Sequence, residues 1–500
     1  MKKLFVLALF IFAPLMAAYS QNASGNMTIG TDTSPSGAAN ISASSGDFGF
    51  LMGGVFGAVT VDGQNYQQVG LRPEISIWKF GICLDIILLF DENGKIRKED
   101  WDEPKDYIDK IYYLRFAQKG DPFYFKFGSI DSVSLGYGIL MNGYSNTIEY
   151  PSYKRQGLDI GFNTSTFGAE MVVGDFKELM GNNKAVMMGG RAHVKPFSRL
   201  TLGGSLVGDF NEYKGLHDRD DDGVPDRIDQ YPDDGRYSST AEYYLAHGVD
   251  PVAVQYMIDN GLISGDPNFN LNKKRSRTGF WAADAGFMVI DTEFFKFDIY
   301  AQFAQSLNTG GYGITAPGVR LTFGKIAQIY GDYRTQSDEF MFGYYNNTYD
   351  LERARFIDNG TELVVTTKKD KLKAARELRG YFAGIKLNIF DIVTGTVEYQ
   401  DMQWGSNQKD RSFKGVVALN TDLVPMISKA EGFYIQNNVD KLRWKTESTM
   451  WGGVLGLGMG NNVDINFMYV ITYDDKNGDG RISGDDETNT NISVSTTARF

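Results

Sequence analysis

Two stretches of the chain place acidic side chains at alternate positions ahead of a glycine. The first, HDRDDDGVPDRIDQYPDDG over residues 217–235, sets Asp218, Asp220 and Asp222 before Gly223, with Asp226 and Asp229 behind it. The second, DKNGDGRISGDDE over residues 475–487, sets Asp475, Asn477 and Asp479 before Gly480. The chemistry open to this pattern is capture of a hard divalent cation. Calcium takes about six to eight oxygens, alternate carboxylates wrap it, and the glycine permits the sharp turn. Aspartate, asparagine and glycine are also ordinary turn residues, so either stretch alone reads as a solvated acidic loop. Chance rarely supplies both spacings in one chain, and together they favour the cation.

The second stretch resembles the calcium loop of EF-hand and dockerin modules. That resemblance implies Asp475, Asn477, Asp479, the Arg481 carbonyl, Ser483 and Asp486 as ligands. The chain departs from the pattern at Asp486, where a bidentate glutamate is usual, although Glu487 is adjacent. Its flanks alternate like strands, so a switch of the sensor type is not implied. The first stretch is similar to thrombospondin type 3 calcium repeats, which implies Asp218, Asp220, Asp222, the Val224 carbonyl, Asp226 and Asp229 as ligands, with Asp233 and Asp234 able to add oxygens. Ca2+ is therefore the expected cofactor, held at the roughly 10⁻⁴–10⁻³ M affinity of extracellular sites. Its role would be to stiffen long loops against proteolysis, or to bridge to anionic lipopolysaccharide.

Catalytic constellations are missing. The only histidines are His193, His217 and His247, and neither a G-x-S-x-G nor an H-E-x-x-H motif is present, so no enzyme is expected. A net charge of −12 argues against a nucleic-acid partner. Cys83 is the single cysteine, which rules out an internal disulfide framework.

The elements that must position these loops are strands. Phe295, Phe297, Ile299, Ala301 and Phe303 alternate with Lys296, Asp298, Tyr300 and Gln302, and Ile492, Val494, Ala498 and Phe500 alternate with Ser493, Ser495, Thr497 and Arg499. Period two marks a strand with one apolar and one polar face. The same reading gives twenty strands between residues 48 and 500. Connections after even-numbered strands are short, as at Trp78-Lys79 and Gly460 to Asn462. The long ones, 91–107, 133–153, 210–276, 336–377 and 475–488, all follow odd-numbered strands. A soluble sandwich gives no reason for this asymmetry, whereas a membrane barrel with both termini on one side requires it.

The chain thus resembles a Gram-negative outer-membrane β-barrel of porin type, and the closing ISVSTTARF is similar to the terminal assembly signal of such barrels. The resemblance implies an all-β, transmembrane, antiparallel up-and-down barrel of about 18–20 strands over residues 47–500. Lys2, Lys3 and the apolar run from Leu4 to Ala18 read as a signal peptide over residues 1–20, followed by a flexible periplasmic arm over 21–46. Implied partners are outer-membrane lipid and lipopolysaccharide, the barrel assembly machinery through the last strand, and small solutes. Homo-oligomerisation is left open.

The strand faces put Arg115, Lys126, Asp159, Lys296, Asp298, Lys386, Glu398 and Arg499 toward the lumen. A mixed polar wall suits a water-filled channel. Loop 133–153 is too apolar for an exposed loop, and reads equally as a lumen constriction or as a strand extension. Two functions compete: a porin-like channel for small solutes with calcium-stiffened outer loops, and an occluded barrel that anchors those loops for adhesion or surface assembly.

Overall fold

The structure, a computed structural model, describes residues 48–499 apart from 62–63, 102–103, 151–152, 181–183, 359–362, 391, 404–407, 421–425, 460–462, 477–478 and 484–486. Residues 1–20 and 21–46, expected as a signal peptide and an arm, and Asn477, Asp486 and Phe500 lie outside the described residues.

One antiparallel sheet carries twenty-one strand segments. Phe80–Leu84 and Ile86–Phe90 both pair with Gln64–Ile77, so they are halves of one crossing, and the ring has twenty crossings. The break falls at Asp85, whose carboxylate turns inward to Arg72 at 2.8 Å, Lys154 at 2.8 Å and the Tyr150 hydroxyl at 2.7 Å. The last crossing, Thr488–Arg499, pairs with the first, Phe48–Val61, from Leu51↔Arg499 to Ala58↔Ile492. Among the described residues the sheet thereby closes on itself, with its first and last crossings paired. That is the condition for a β-structure to stand in lipid.

The alternation sets which face goes where. On Phe295–Ser306 the inward Tyr300, Gln302, Ala304 and Ser306 are buried, while Ile299 and Ala301 point out and are exposed. Phe123, Phe162, Leu206, Phe287, Val417 and Phe467 from other crossings form the same outward belt, between 42% and 64% exposed. An apolar belt outside and a polar wall inside is the architecture of an outer-membrane barrel. No helix among the described residues is long and apolar enough to cross a membrane.

Four crossings are shorter than the roughly 9–11 residues of a tilted membrane crossing: Ile111–Phe116, Phe123–Gly128, Gly157–Asn163 and Phe167–Val173. The cause is visible at Gly128, which takes φ +107°, where a Cβ would come within 2.5 Å of the Tyr112 carbonyl. The chain leaves the wall there and turns inward, so the ladder stops early.

What enters the lumen is a plug made of two long loops. Met141–Asn142 from loop 133–153 pairs in parallel with Tyr345–Asn346 from loop 336–377. Ile130, Leu140, Met141, Tyr144, Phe340, Tyr344, Tyr345 and Tyr349 are at most 1% exposed and pack against Val172, Met187, Val207 and Phe280 of the wall. The sequence left loop 133–153 open between constriction and extension, and the fold makes it a constriction.

Candidate functional site

The plug is held by charges that the lumen buries. Arg353, 1% exposed, donates from Nε to Asp209 at 2.6 Å and from its second amino group to Glu178 at 2.8 Å. Lys368 pairs with Glu352 at 2.8 Å, and Lys371 approaches the same carboxylate at 3.6 Å. Burial opposes ionisation of Glu352, yet the two ammonium groups beside it hold its carboxyl at about 2. The tip of loop 133–153 rests on the wall, with the Gln302 side-chain oxygen accepting from the backbone N–H groups of Tyr137 at 3.2 Å and Ile139 at 3.4 Å.

A narrow cleft of about 50 Å3 remains between plug and wall. Asn142, Asn346 and Asn347 face it from the plug, and Gln400, Lys414 and Asn438 from the wall. Arg334 closes one side. It is clamped to Asp332 at 2.6 Å and lies 4.0 Å over the Phe382 ring.

Apart from Arg499, the residues expected at the lumen fall on the polar face of their strands by the alternation. Lys126 pairs with Asp131 at 2.6 Å, Asp159 with Lys119 at 3.0 Å, and Lys296 with Asp291 at 3.1 Å. Arg115 is buried beside Tyr113, with its guanidinium 6.0 Å from the ring. Asp298 stands opposite Arg320 in the register. Lys386 lies 5.9 Å from the Tyr330 ring, and Glu398 accepts the Tyr330 hydroxyl. Arg499 pairs with Leu51, and its side chain lies outside the described residues. The sequence reading passed over Arg320, Arg334 and Lys414, although the same alternation places all three on the polar face.

Loop 210–276 leaves the wall at the plugged end and folds on itself. Helices Thr240–Ala246 and Pro251–Asp259 start on Ser239 and Asp250, whose side chains accept from Glu242 N and Val252 N. Leu216, Phe269 and Leu271 of this loop pack on Ala354 and Phe356 of the plug-forming loop. The first acidic stretch sits in that setting. Carboxylate oxygens of Asp218, Asp220 and Asp222 lie within 4.8 Å of one another. Gly223, at φ +97°, donates its N–H to Asp218 at 3.1 Å.

One oxygen each of Asp218, Asp220 and Asp229 is buried without a hydrogen-bond partner among the described residues. Burial and mutual repulsion push Asp218 up to about 8, and Asp220 and Asp229 to about 6. These are the oxygens a cation would satisfy. Asp226 differs, because Arg219 holds it through backbone N–H at 3.0 Å and Nε at 3.1 Å. Val224 is buried beside the cluster.

In the second stretch Asp475 accepts from Gly480 N at 2.8 Å and Asp479 from Arg481 N at 2.7 Å. Ser483 N donates to Glu487 at 2.9 Å, and the other Glu487 carboxylate oxygen is buried with no partner among the described residues. Glu487, outside the ligand set implied by the resemblance, thus turns into this loop alongside Asp475 and Asp479.

No protein-family model and no curated protein matches the chain. Among solved structures it is similar to a variant of the ferric enterobactin receptor of Pseudomonas aeruginosa, at 8% identity and TM-score 0.35, over 91% of this chain and 80% of that one. OpdQ of the same organism is 8% identical at TM-score 0.30, over 91% of this chain and 96% of its own. Wzi of Escherichia coli, described as a carbohydrate-binding β-barrel of group 1 capsule assembly, is 10% identical at TM-score 0.34, over 91% of this chain and 84% of its own.

Proposed function

We propose that the protein is an outer-membrane channel passing small polar solutes through a bore narrowed by two infolded loops, with calcium bound at its outer loops. The observation that carries the channel is the cleft left between plug and wall, lined by Asn142, Asn346, Gln400 and Lys414 instead of being packed shut. A bundle of strands needing only an anchor in lipid has no use for a polar gap beside a dry core. For calcium, the support is the buried, unsatisfied oxygens on Asp218 and Asp220, which cluster with Asp222, and a further one on Asp229. An isolated buried carboxylate costs several kcal/mol unless paired or bound to a metal. Asp218, Asp220, Asp222, Asp229 and the Val224 carbonyl would hold the ion, which would supply fixed positive charge to a mutually repelling cluster.

A second reading has its own observation. The aromatic core of the plug and the buried Arg353 fill much of the lumen at the loop end, as in an occluded barrel that displays its loops for adhesion or surface assembly. Planar-bilayer recording of the refolded protein separates the two. Steady small ohmic steps establish the channel, and silence from a protein folded by circular dichroism establishes the occluded barrel.

A further inference from the structure

Most inward charges of this barrel are closed into pairs. Arg72 meets Asp85 at 2.8 Å, Lys126 meets Asp131 at 2.6 Å, and Arg191 meets Asp284 at 2.7 Å. Glu398 and Lys414 break that rule. They are direct partners in the ladder between Val393–Gln403 and Lys409–Asn420, they carry opposite charges, and both line the cleft. Cross-strand neighbours of this kind normally join. Here no ion pair joins them among the described residues. The Glu398 carboxylate is drawn away by the Tyr330 hydroxyl from the next strand but one. The Lys414 ammonium reaches toward the plug, 4.0 Å from where a Cβ on Gly143 would stand, and makes no hydrogen bond or ion pair with a described residue.

A third group points the same way. Asn347 is 6% exposed and lines the cleft; its amide oxygen accepts from Asn437 at 2.7 Å, while its amide nitrogen donates to nothing described. A buried donor left unmade is destabilising, so an acceptor in the cleft is energetically favoured. The cleft thus presents an ammonium and an amide N–H as donors and a carboxylate as acceptor, separated by a gap that the protein does not close.

Resting on the channel reading, we infer that the cleft recognises small zwitterions. The solute's carboxylate is taken by Lys414 and Asn347, and its ammonium by Glu398. An α-amino acid is the simplest solute that carries both groups at short separation. A lone anion would leave Glu398 facing it, and a lone cation would face Lys414.

The test uses L-alanine, propionate and ethylammonium, the last two being alanine stripped of one charged group. Saturation-transfer NMR with the refolded full chain in detergent measures binding, beside single-channel recording in potassium chloride. Alanine is expected to bind more tightly than either relative. E398Q and K414Q should each weaken alanine about tenfold, since each removes one charge-assisted contact. E398Q should leave propionate bound at least as well, and K414Q should do so for ethylammonium. These reciprocal gains also rule out unfolding as the cause. Equal binding of the three probes, or alanine binding indifferent to both variants, overturns the inference while ohmic steps keep the channel. Alanine binding that obeys the variants without conductance supports the cleft and sinks the channel reading alone.

Discussion

The ring of Tyr137 lies flat on the ring of Tyr300, with centroids 4.1 Å apart and planes 1° from parallel. Tyr137 belongs to the plug and Tyr300 to the wall, and Arg320 covers the Tyr137 face at 5.1 Å. Gly286 has no side chain where this ring arrives; a Cβ there would sit on the Tyr137 hydroxyl. The contact therefore fixes how far the loop tip crosses the lumen. Aromatic pairs are worth about 0.5–1.5 kcal/mol beyond area burial. Tyr137→Ala should raise single-channel conductance and its open-state noise, with barrel stability nearly unchanged. Gly286→Ala should push the ring off the wall and give a similar gain. Unaltered conductance in both would mean that the tip does not bound the bore.

Arg353 ties the plug to the wall at Asp209 and to the turn carrying Glu178. Removing the guanidinium leaves two buried carboxylates facing one another, and breaking a buried ion pair on one side costs roughly 3–5 kcal/mol. Arg353→Met keeps the volume and loses the charge. It should speed hydrogen exchange over residues 349–374 strongly, while strands of the far wall keep their protection. The double change with Asp209→Asn should recover part of the loss. A variant that exchanges like the wild type would place the plug's stability in its aromatic core instead.

How much of this was legible beforehand depends on the range of the forces involved. Period two marked the crossings because each strand's two faces meet different surroundings within a few residues, as Ile299 and Tyr300 do. The odd–even loop rule followed from chain geometry alone. The destination of loop 133–153 did not, because Met141 finds Tyr345 about two hundred positions later and no local pattern encodes that pairing. Apolar content signalled that the loop is buried, not where. The short crossings near Gly128 share that cause. In the first acidic stretch the spacing was readable, yet the hold of Arg219 on Asp226 was not, since a ligand and an ion-pair partner look alike in sequence.

Acid should loosen the plug. Glu352 is buried between Lys368 and Lys371, which hold its carboxyl at about 2 in the folded chain, against about 4.3 when unfolded. A lowered acid contributes stability above the unfolded value and loses it as pH falls through the folded one. The contribution is of order 3 kcal/mol by linkage, all of it present at neutral pH. The part of the conductance profile that belongs to Glu352 should change between about pH 4 and pH 2, reversibly on return, below the range in which Glu178, pushed up to about 7 by burial, takes its proton. Glu352→Gln should reduce that step, the remainder belonging to Glu149, which Arg155 and His217 also hold at about 2. An acid transition of the same size in the variant would assign the step to other carboxylates.

Calcium should be measurable on the isolated barrel through loop 210–276. With the ion bound, Asp218, Asp220, Asp222 and Asp229 no longer repel one another, and the loop they organise packs on Phe356 through Leu216 and Phe269. Chelation should therefore expose residues 217–235 to limited proteolysis, and millimolar calcium should restore protection, magnesium less so because it demands stricter octahedral geometry. Asp218→Asn with Asp222→Asn removes two of the charged ligands and should weaken calcium binding about tenfold or more by titration calorimetry. Asp226→Asn should weaken it less, because Arg219 already occupies that carboxylate. If Asp226→Asn proves as damaging as the double variant, Arg219 must release its partner on binding. If neither variant alters the titration, the buried oxygens of this cluster are satisfied by something other than calcium.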